Sequence, residues 1–294
     1  MAIEIIKDNR KDNFLTIIIG CKNELINIPR LLESIEKQSF RDYEIIFIDG
    51  GSTDGTLNYL NKLTYSVFEI APGEFNYGTS CDQAATLANS PYFMLLSGHT
   101  YLVQEYLLED SVKYLNRYPE VAGLYFRQIP NQFTGCSCLE QAFLAYRFPS
   151  GKEFIVNNHT GLTRLSFSNS AAIVKKTIWE KVNYGYCLGC EDRIWADKVV
   201  RLGYSTAYAP HLWVEHSHEE TAAMVANRVF GTMVAWNNYK KNKSVVDWPL
   251  FYAMKKLLLM TAFGPIKEWR QILSFTMASY RGAKKAWLAY HGKN

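Results

Sequence analysis

Three runs of apolar residues set the frame of the chain: FLTIIIG at 14–20, EIIFID at 44–49 and PYFMLLSGHT at 91–100. None alternates between apolar and polar positions, so each predicts a strand covered on both faces, as in a parallel sheet packed between helices. The segments between them fit the helices. Residues 28–38 carry apolar positions at helical spacing, 56–63 follow a turn rich in capping residues, and 81–88 are mostly small. Residues 67–70 predict one more short strand, and strands alternating with helices in this way predict an α/β fold with a doubly wound, mostly parallel sheet. Farther along, 121–128 read as a strand, 139–147 as a helix, LSFSNSAAI at 165–173 as a strand of shrinking side chains, 191–203 as a helix stopped by Gly203, and 203–209 as a short strand.

Sheets of this kind bind ligands at the carboxyl ends of their strands. That singles out Asp49 with the GGSTDGT turn at 50–56, and His99 at the tip of the third run. An aspartate at a strand tip can accept hydrogen bonds from a base or ribose, and the glycines allow close backbone approach; the same residues also make an ordinary turn. His99 reads as a ligand or as a loop cap. No G-x-G-x-x-G follows the first strand and no G-x-x-x-x-G-K-[ST] occurs, which disfavours a dinucleotide-binding dehydrogenase and a P-loop NTPase.

Glu191 and Asp192 open the helix at 191–203. Neighbours at a helix start point about 100° apart, so the two acids have different tasks if they do chemistry; otherwise they complement the helix dipole. His211, His216 and His218 follow within eight positions. In extended chain His216 and His218 face the same side and could approach one ion or phosphate.

The ordered set TIII (16–19) with Asn23 and Glu24, IDGGSTDGT (48–56), LLSGH (95–99) and Glu191-Asp192 resembles the family 2 glycosyltransferases over about residues 14–235. PGEFNYG (72–78) and VEHSH (214–218) look more narrowly like bacterial rhamnosyltransferase-like members that build surface polysaccharides. The resemblance implies a GT-A fold, a UDP- or dTDP-linked sugar donor, inversion at the anomeric carbon, and a glycan or lipid-linked acceptor. Carried over, it puts Asn23, Glu24, Asp49, Gly51, Ser52, Asn76, Gly78, Ser97 and Gly98 at the donor. Ser97-Gly98-His99 stands where the family has D-x-D, so His99 either takes the place of the metal-binding aspartate or marks a metal-independent site; His216, in the cluster after the acid pair, is the expected second protein ligand. Imidazole in place of a carboxylate favours Mn²⁺ over Mg²⁺. Asp192 is the expected base and Glu191 the residue that orients the acceptor. Gly50 replaces an acid found beside Asp49 in many members and leaves the base unassigned. The missing aspartate also motivates a second reading, a non-catalytic nucleotide-sugar-binding or scaffolding member of an assembly complex.

Composition adds compartment and partner. With 48% hydrophobic and 20% charged residues the 294-residue chain is globular. The first dozen residues lack the apolar core of a secretory signal, and no apolar run reaches the roughly 18 residues of a membrane span, so a cytoplasmic protein is expected. Six cysteines in that setting predict free thiols; CSC at 136–138 with CLGC at 187–190 is the pattern that would instead supply a structural zinc. Residues 240–294 hold eleven basic and two acidic residues against a whole-chain net charge of +4, with aromatics interleaved. They divide the chain into a glycosyltransferase domain at 1–239 and a helical tail at 240–294. The tail fits the anionic inner face of a cell membrane, a homodimer interface, or helices packed back on the domain. No nucleic acid partner is expected, the weakest option for the tail, since no recognised motif accompanies the charge.

Overall fold

The computed structural model describes residues 3–71, 73–133, 136–151, 153–157, 167–187, 189–218, 220–240, 249–263 and 269–291. In chain order the elements are β1 (Ile3–Lys7), β2 (Leu15–Cys21), α1 (Ile28–Glu36), β3 (Tyr43–Asp49), α2 (Thr56–Leu60), β4 (Ser66–Ile70), α3 (Tyr77–Leu87), β5 (Tyr92–Ser97), α4 (Leu107–Arg117) and β6 (Val121–Ile129). Then come α5 (Cys138–Arg147), β7 (Phe154–Val156), β8 (Ala171–Lys175), α6 (Lys176–Trp179), α7 (Glu191–Arg201), β9 (Ser205–Glu215), α8 (Ala222–Lys240), α9 (Pro249–Phe263) and α10 (Trp269–His291).

The nine strands form one sheet in the order β1-β4-β3-β2-β5-β8-β6-β9-β7. Its core, β4-β3-β2-β5, is parallel, as the non-alternating runs predict. Successive residues of β2 feed two cores: Leu15, Ile17 and Ile19 pack with α1 and α4, while Ile18 faces the cluster that includes Ala84 and Ala85 of α3 and Trp195 and Val199 of α7. Helix α1 buries Ile28, Leu31, Leu32 and Ile35, the one stripe its spacing predicts.

Beyond β5 the sheet departs from the doubly wound expectation. Strand β8 enters antiparallel between β5 and β6, and β1 and β7 close the edges antiparallel to β4 and β9. The strand expected over 165–173 begins only at Ala171; Phe167 to Ser170 form its lead-in, and Leu165 and Ser166 lie outside the described residues. The short strand expected at 203–209 runs instead from Ser205 to Glu215, and Glu215 pairs with Ile129 at the end of β6. This extension carries the chain up to the histidines.

The last three helices form a layer of their own, with Val225, Val229, Met260, Ile272, Phe275, Ala278 and Ala283 clustered around Ala142 of α5. Packing back on the α/β domain is therefore the arrangement observed, and α8 belongs to the same layer as the tail. Helices α8 and α10 cross closely because Gly282 has no side chain: a Cβ there would lie 2.3 Å from the Ala226 carbonyl oxygen. Trp248, Gly264 and Pro265, read in sequence as part of the tail, lie outside the described residues. Among the described residues no helix is long and apolar enough to cross a membrane.

Candidate active site

The turn after β3 is built around Asp49. Its carboxylate is fully buried and accepts from the Gly51 and Ser52 amides at 2.9 and 2.7 Å and from the Ser52 hydroxyl at 2.5 Å. Gly51 takes φ +82°, a left-handed conformation that an L side chain would strain. Asn23, itself at φ +58°, accepts from the Thr53 amide at 2.8 Å, and its own amide donates to Ser52 Oγ at 2.8 Å. The two loops that follow β2 and β3 are thus tied into one surface. Asp49 orders that surface from beneath.

Glu24 is paired with His99. Its Oε1 lies 2.7 Å from His99 Nδ1, and its Oε2 accepts from Asn27 Nδ2 at 2.6 Å. The approach depends on Gly98, where a Cβ would stand 2.9 Å from Glu24 Cγ. A carboxylate only accepts, so His99 donates from Nδ1 and presents the Nε2 lone pair. His216 is fixed in the same sense: Gln128 donates through Nε2 to Ser168 Oγ at 3.1 Å and turns its oxygen to His216 Nδ1 at 2.9 Å. His218 Nδ1 lies 3.2 Å from Glu140 Oε1. The His99 and His216 rings stack with centroids 5.0 Å apart, and His218 stands edge-on to both.

One ligand atom from each of the three histidines lies within 4.8 Å of the others. The Nε2 atoms of His99 and His216 are buried and meet no hydrogen-bond partner. A buried polar atom left unpaired costs about 1–3 kcal/mol, and two of them aimed at one point suit a cation. Burial, and then the neighbouring His218 and His99, push His216 far below the ordinary histidine range, which keeps it neutral and ligand-competent. Burial also disfavours charge on His218, but the Glu140 hydrogen bond and charge outweigh it and raise its pKa. The sequence places His218 on the same side as His216, within reach of the same ion, with His216 the expected second ligand; the structure brings both to His99. The four-cysteine alternative finds no support: the residues that can share an ion, among those described, are the histidines. Cys187 Sγ points at the Gly189 carbonyl and Cys190 Sγ at that of Thr232, and the Cys138 side chain and Leu188 lie outside the described residues. No disulfide joins Cys21, Cys81, Cys136, Cys187 or Cys190.

The acid pair sits at the amino end of α7. Cys190 precedes it at φ +51°, and the loop before that is strapped to α3 by Asn76, which accepts from the Cys187 amide at 3.0 Å and donates to the Cys187 carbonyl at 2.8 Å. Asn76 also caps α3, and at Gly78 a Cβ would lie 1.9 Å from the Gly185 oxygen. Both residues therefore position the loop that delivers the acids. Burial, and next the charge of Asp192, raise the Glu191 pKa to about 8. Burial also raises Asp192, opposed by the nearby Arg147 and by the Arg193 and Asn169 backbone. The pair therefore shares its protons, with Glu191 the protonated member near neutrality.

The two halves of the site meet at the lead-in to β8. Ser168 receives the Gln128 bond that orients His216, and Asn169 Nδ2 lies 3.4 Å from Glu191 Oε1. Ser97 donates its amide to the Ser170 carbonyl at 3.1 Å, which brings the β5 tip to the same edge. Histidines and acids thus flank one sheet edge.

Residues 16–180 match the model of Glycosyl transferase family 2. The chain belongs to this family. Among curated relatives it is 27% identical over 209 residues to the O-antigen chain rhamnosyltransferase WbaN of Salmonella anatum, covering 68% of this chain and 65% of that protein. It is also 27% identical over 229 residues to the O-antigen chain rhamnosyltransferase RfbN of Salmonella typhimurium, covering 75% and 71%. The chain thus spans about two thirds of the length of these relatives. Among solved structures, the mannosyltransferase PcManGT from Pyrobaculum calidifontis, solved with GDP-Man and Mn²⁺, superposes with a TM-score of 0.59 at 16% identity, covering 100% of this chain and 79% of that one. That likeness shows a GT-A fold with added C-terminal helices.

Proposed function

We propose that this family member is an inverting glycosyltransferase that moves a sugar from a nucleotide-diphosphate donor to a hydroxyl of a glycan or lipid-linked acceptor in surface polysaccharide synthesis. One observation carries the reading: the acid pair on α7 and the histidine cluster stand at one sheet edge, joined through consecutive residues Ser168 and Asn169. An inverting transfer needs those two functions side by side, a base for the attacking hydroxyl and positive charge at the departing diphosphate. The Salmonella relatives, named as O-antigen chain rhamnosyltransferases, support the substrate class.

In this reading Asp192 takes the proton from the acceptor hydroxyl as it attacks the anomeric carbon. Glu191, protonated near neutrality, donates a hydrogen bond that orients acceptor or sugar. The surface made by Asn23, Gly51 and Ser52 receives the nucleoside, and Ser97 and Gly98 lie under the diphosphate. His99 and His216 hold a divalent ion through Nε2, and that ion would offset charge on the leaving diphosphate. Imidazole donors favour Mn²⁺ over Mg²⁺, and PcManGT was solved with Mn²⁺. Transfer assays over a panel of nucleotide sugars test the reading.

The helical layer also favours a membrane surface for the acceptor reaction. Leu250, Phe251, Met254 and Leu258 of α9 are exposed beside Lys255, and Leu273 and Met277 of α10 are exposed near Arg270 and Arg281. Apolar residues among basic ones suit an anionic bilayer.

A further inference from the structure

We propose that His99, His216 and His218 form a single three-imidazole site that takes up one divalent transition-metal ion with no nucleotide sugar present, and that Glu24, Gln128 and Glu140 are its positioning residues. The proposal rests on the reading that an ion belongs at His99 and goes beyond it in two respects: a third protein ligand, and a site complete before the donor arrives.

The geometry points this way at three levels. One ligand atom from each ring lies within 4.8 Å of the others, so one ion can be reached by all three. All three rings engage an oxygen acceptor through Nδ1, Glu24 at 2.7 Å, Gln128 at 2.9 Å and Glu140 at 3.2 Å, which leaves Nε2 of each ring as the atom for an ion. Metal-bound histidines almost always have this arrangement, and it fixes tautomer and ring plane together.

The acceptors are themselves held. Glu24 is bonded to Asn27 at 2.6 Å, its amide donates to Thr56 Oγ1 at 2.9 Å, Gln128 is bonded to Ser168 at 3.1 Å, and the Glu140 amide is capped by Ser137 Oγ at 3.1 Å. These partners come from separate parts of the fold, the β2–α1 loop, β6 and α5, and converge on one point. A site with one or two carboxylates depends on diphosphate oxygens to complete it. Three pre-oriented imidazoles do not, and they select borderline ions over Mg²⁺.

The test is titration of the full-length protein with Co²⁺ alone, followed by its visible ligand-field absorption, with Zn²⁺ displacement as a second readout. One equivalent of Co²⁺ is expected to bind without nucleotide. His218→Ala and Glu24→Gln are each expected to weaken binding by about 10–100-fold and to change the absorption spectrum. Glu24→Asp is expected to recover part of the loss. His216 is buried, so if its alanine variant does not fold, His218→Ala decides, because that side chain is 45% exposed. Binding that appears only with UDP or dTDP added, or that His218→Ala leaves unchanged, overturns the proposal while the glycosyltransferase reading stands. Tight Co²⁺ binding in a protein whose transfer activity resists chelation supports the site and removes its ion from the reaction.

Discussion

Ser168 and Asn169 are consecutive residues that serve opposite halves of the site: Ser168 accepts from Gln128, which orients His216, and Asn169 donates toward Glu191 at 3.4 Å. A shift of this lead-in would therefore disturb the histidine cluster and the acid pair together. Asn169→Ala is expected to lower turnover and to loosen Glu191 without unfolding the sheet, since Asn169 precedes β8. Turnover and thermal melting measured on the same preparation check it; wild-type turnover would show that the acids do not depend on this link.

Asp192 carries the proton in the proposed transfer. Asp192→Asn is expected to reduce kcat by roughly two to four orders of magnitude, the usual share of general base catalysis, with donor affinity nearly unchanged. A variant keeping more than a tenth of wild-type kcat would remove Asp192 from that role.

The raised pKa of Glu191, about 8, fixes the sign of a stability effect. The folded protein holds a proton there that the unfolded chain, with an ordinary carboxylate, has lost. The stability this contributes is present below the unfolded value and disappears as pH rises through about 8. Glu191→Gln should therefore raise the melting temperature relative to wild type, by more at pH 8.5 than at pH 5. Melting curves at both values check this, and an equal shift at both would show that Glu191 is not held protonated.

Imidazole ligation predicts the pattern of metal dependence in turnover. Exhaustive chelation is expected to suppress transfer, and Mn²⁺ to restore it better than Mg²⁺ at equal concentration. Full recovery with Mg²⁺ alone would contradict ligation by His99 and His216.

Much of the fold was legible because it is written locally. The runs that became β2, β3 and β5 lack alternation, and α1 has a single apolar stripe, so their burial followed from pattern. The antiparallel entry of β8 was not legible: AAIVK is equally compatible with either direction, and the choice is made by β5 and β6 on its two sides. The site divides in the same way. His99, His216, Glu191 and Asp192 stood out by type and position. That Asp49 and Asn76 turn their polar atoms inward, and that Glu24 belongs to His99 across 75 positions, depends on loops meeting in space.

The exposed face of α9 offers a test of membrane association that spares the fold, since truncation would uncover Ala142 and Val225. Replacing Leu250, Phe251 and Leu258 with serine should reduce sedimentation with anionic vesicles at low salt, and high salt should weaken what remains. Unchanged sedimentation would assign this face to another partner.

In the proposed function the site transfers sugar. Its most direct measurement is release of nucleoside diphosphate, with the anomeric configuration of the product, from full-length protein given Mn²⁺, a lipid-linked acceptor extract and a panel of UDP-, dTDP- and GDP-sugars. The expected result is acceptor-stimulated release from one donor class, with an inverted product, abolished in Asp192→Asn. Donor binding by calorimetry with no release from any donor would contradict it and leave a nucleotide-sugar-binding protein without catalysis.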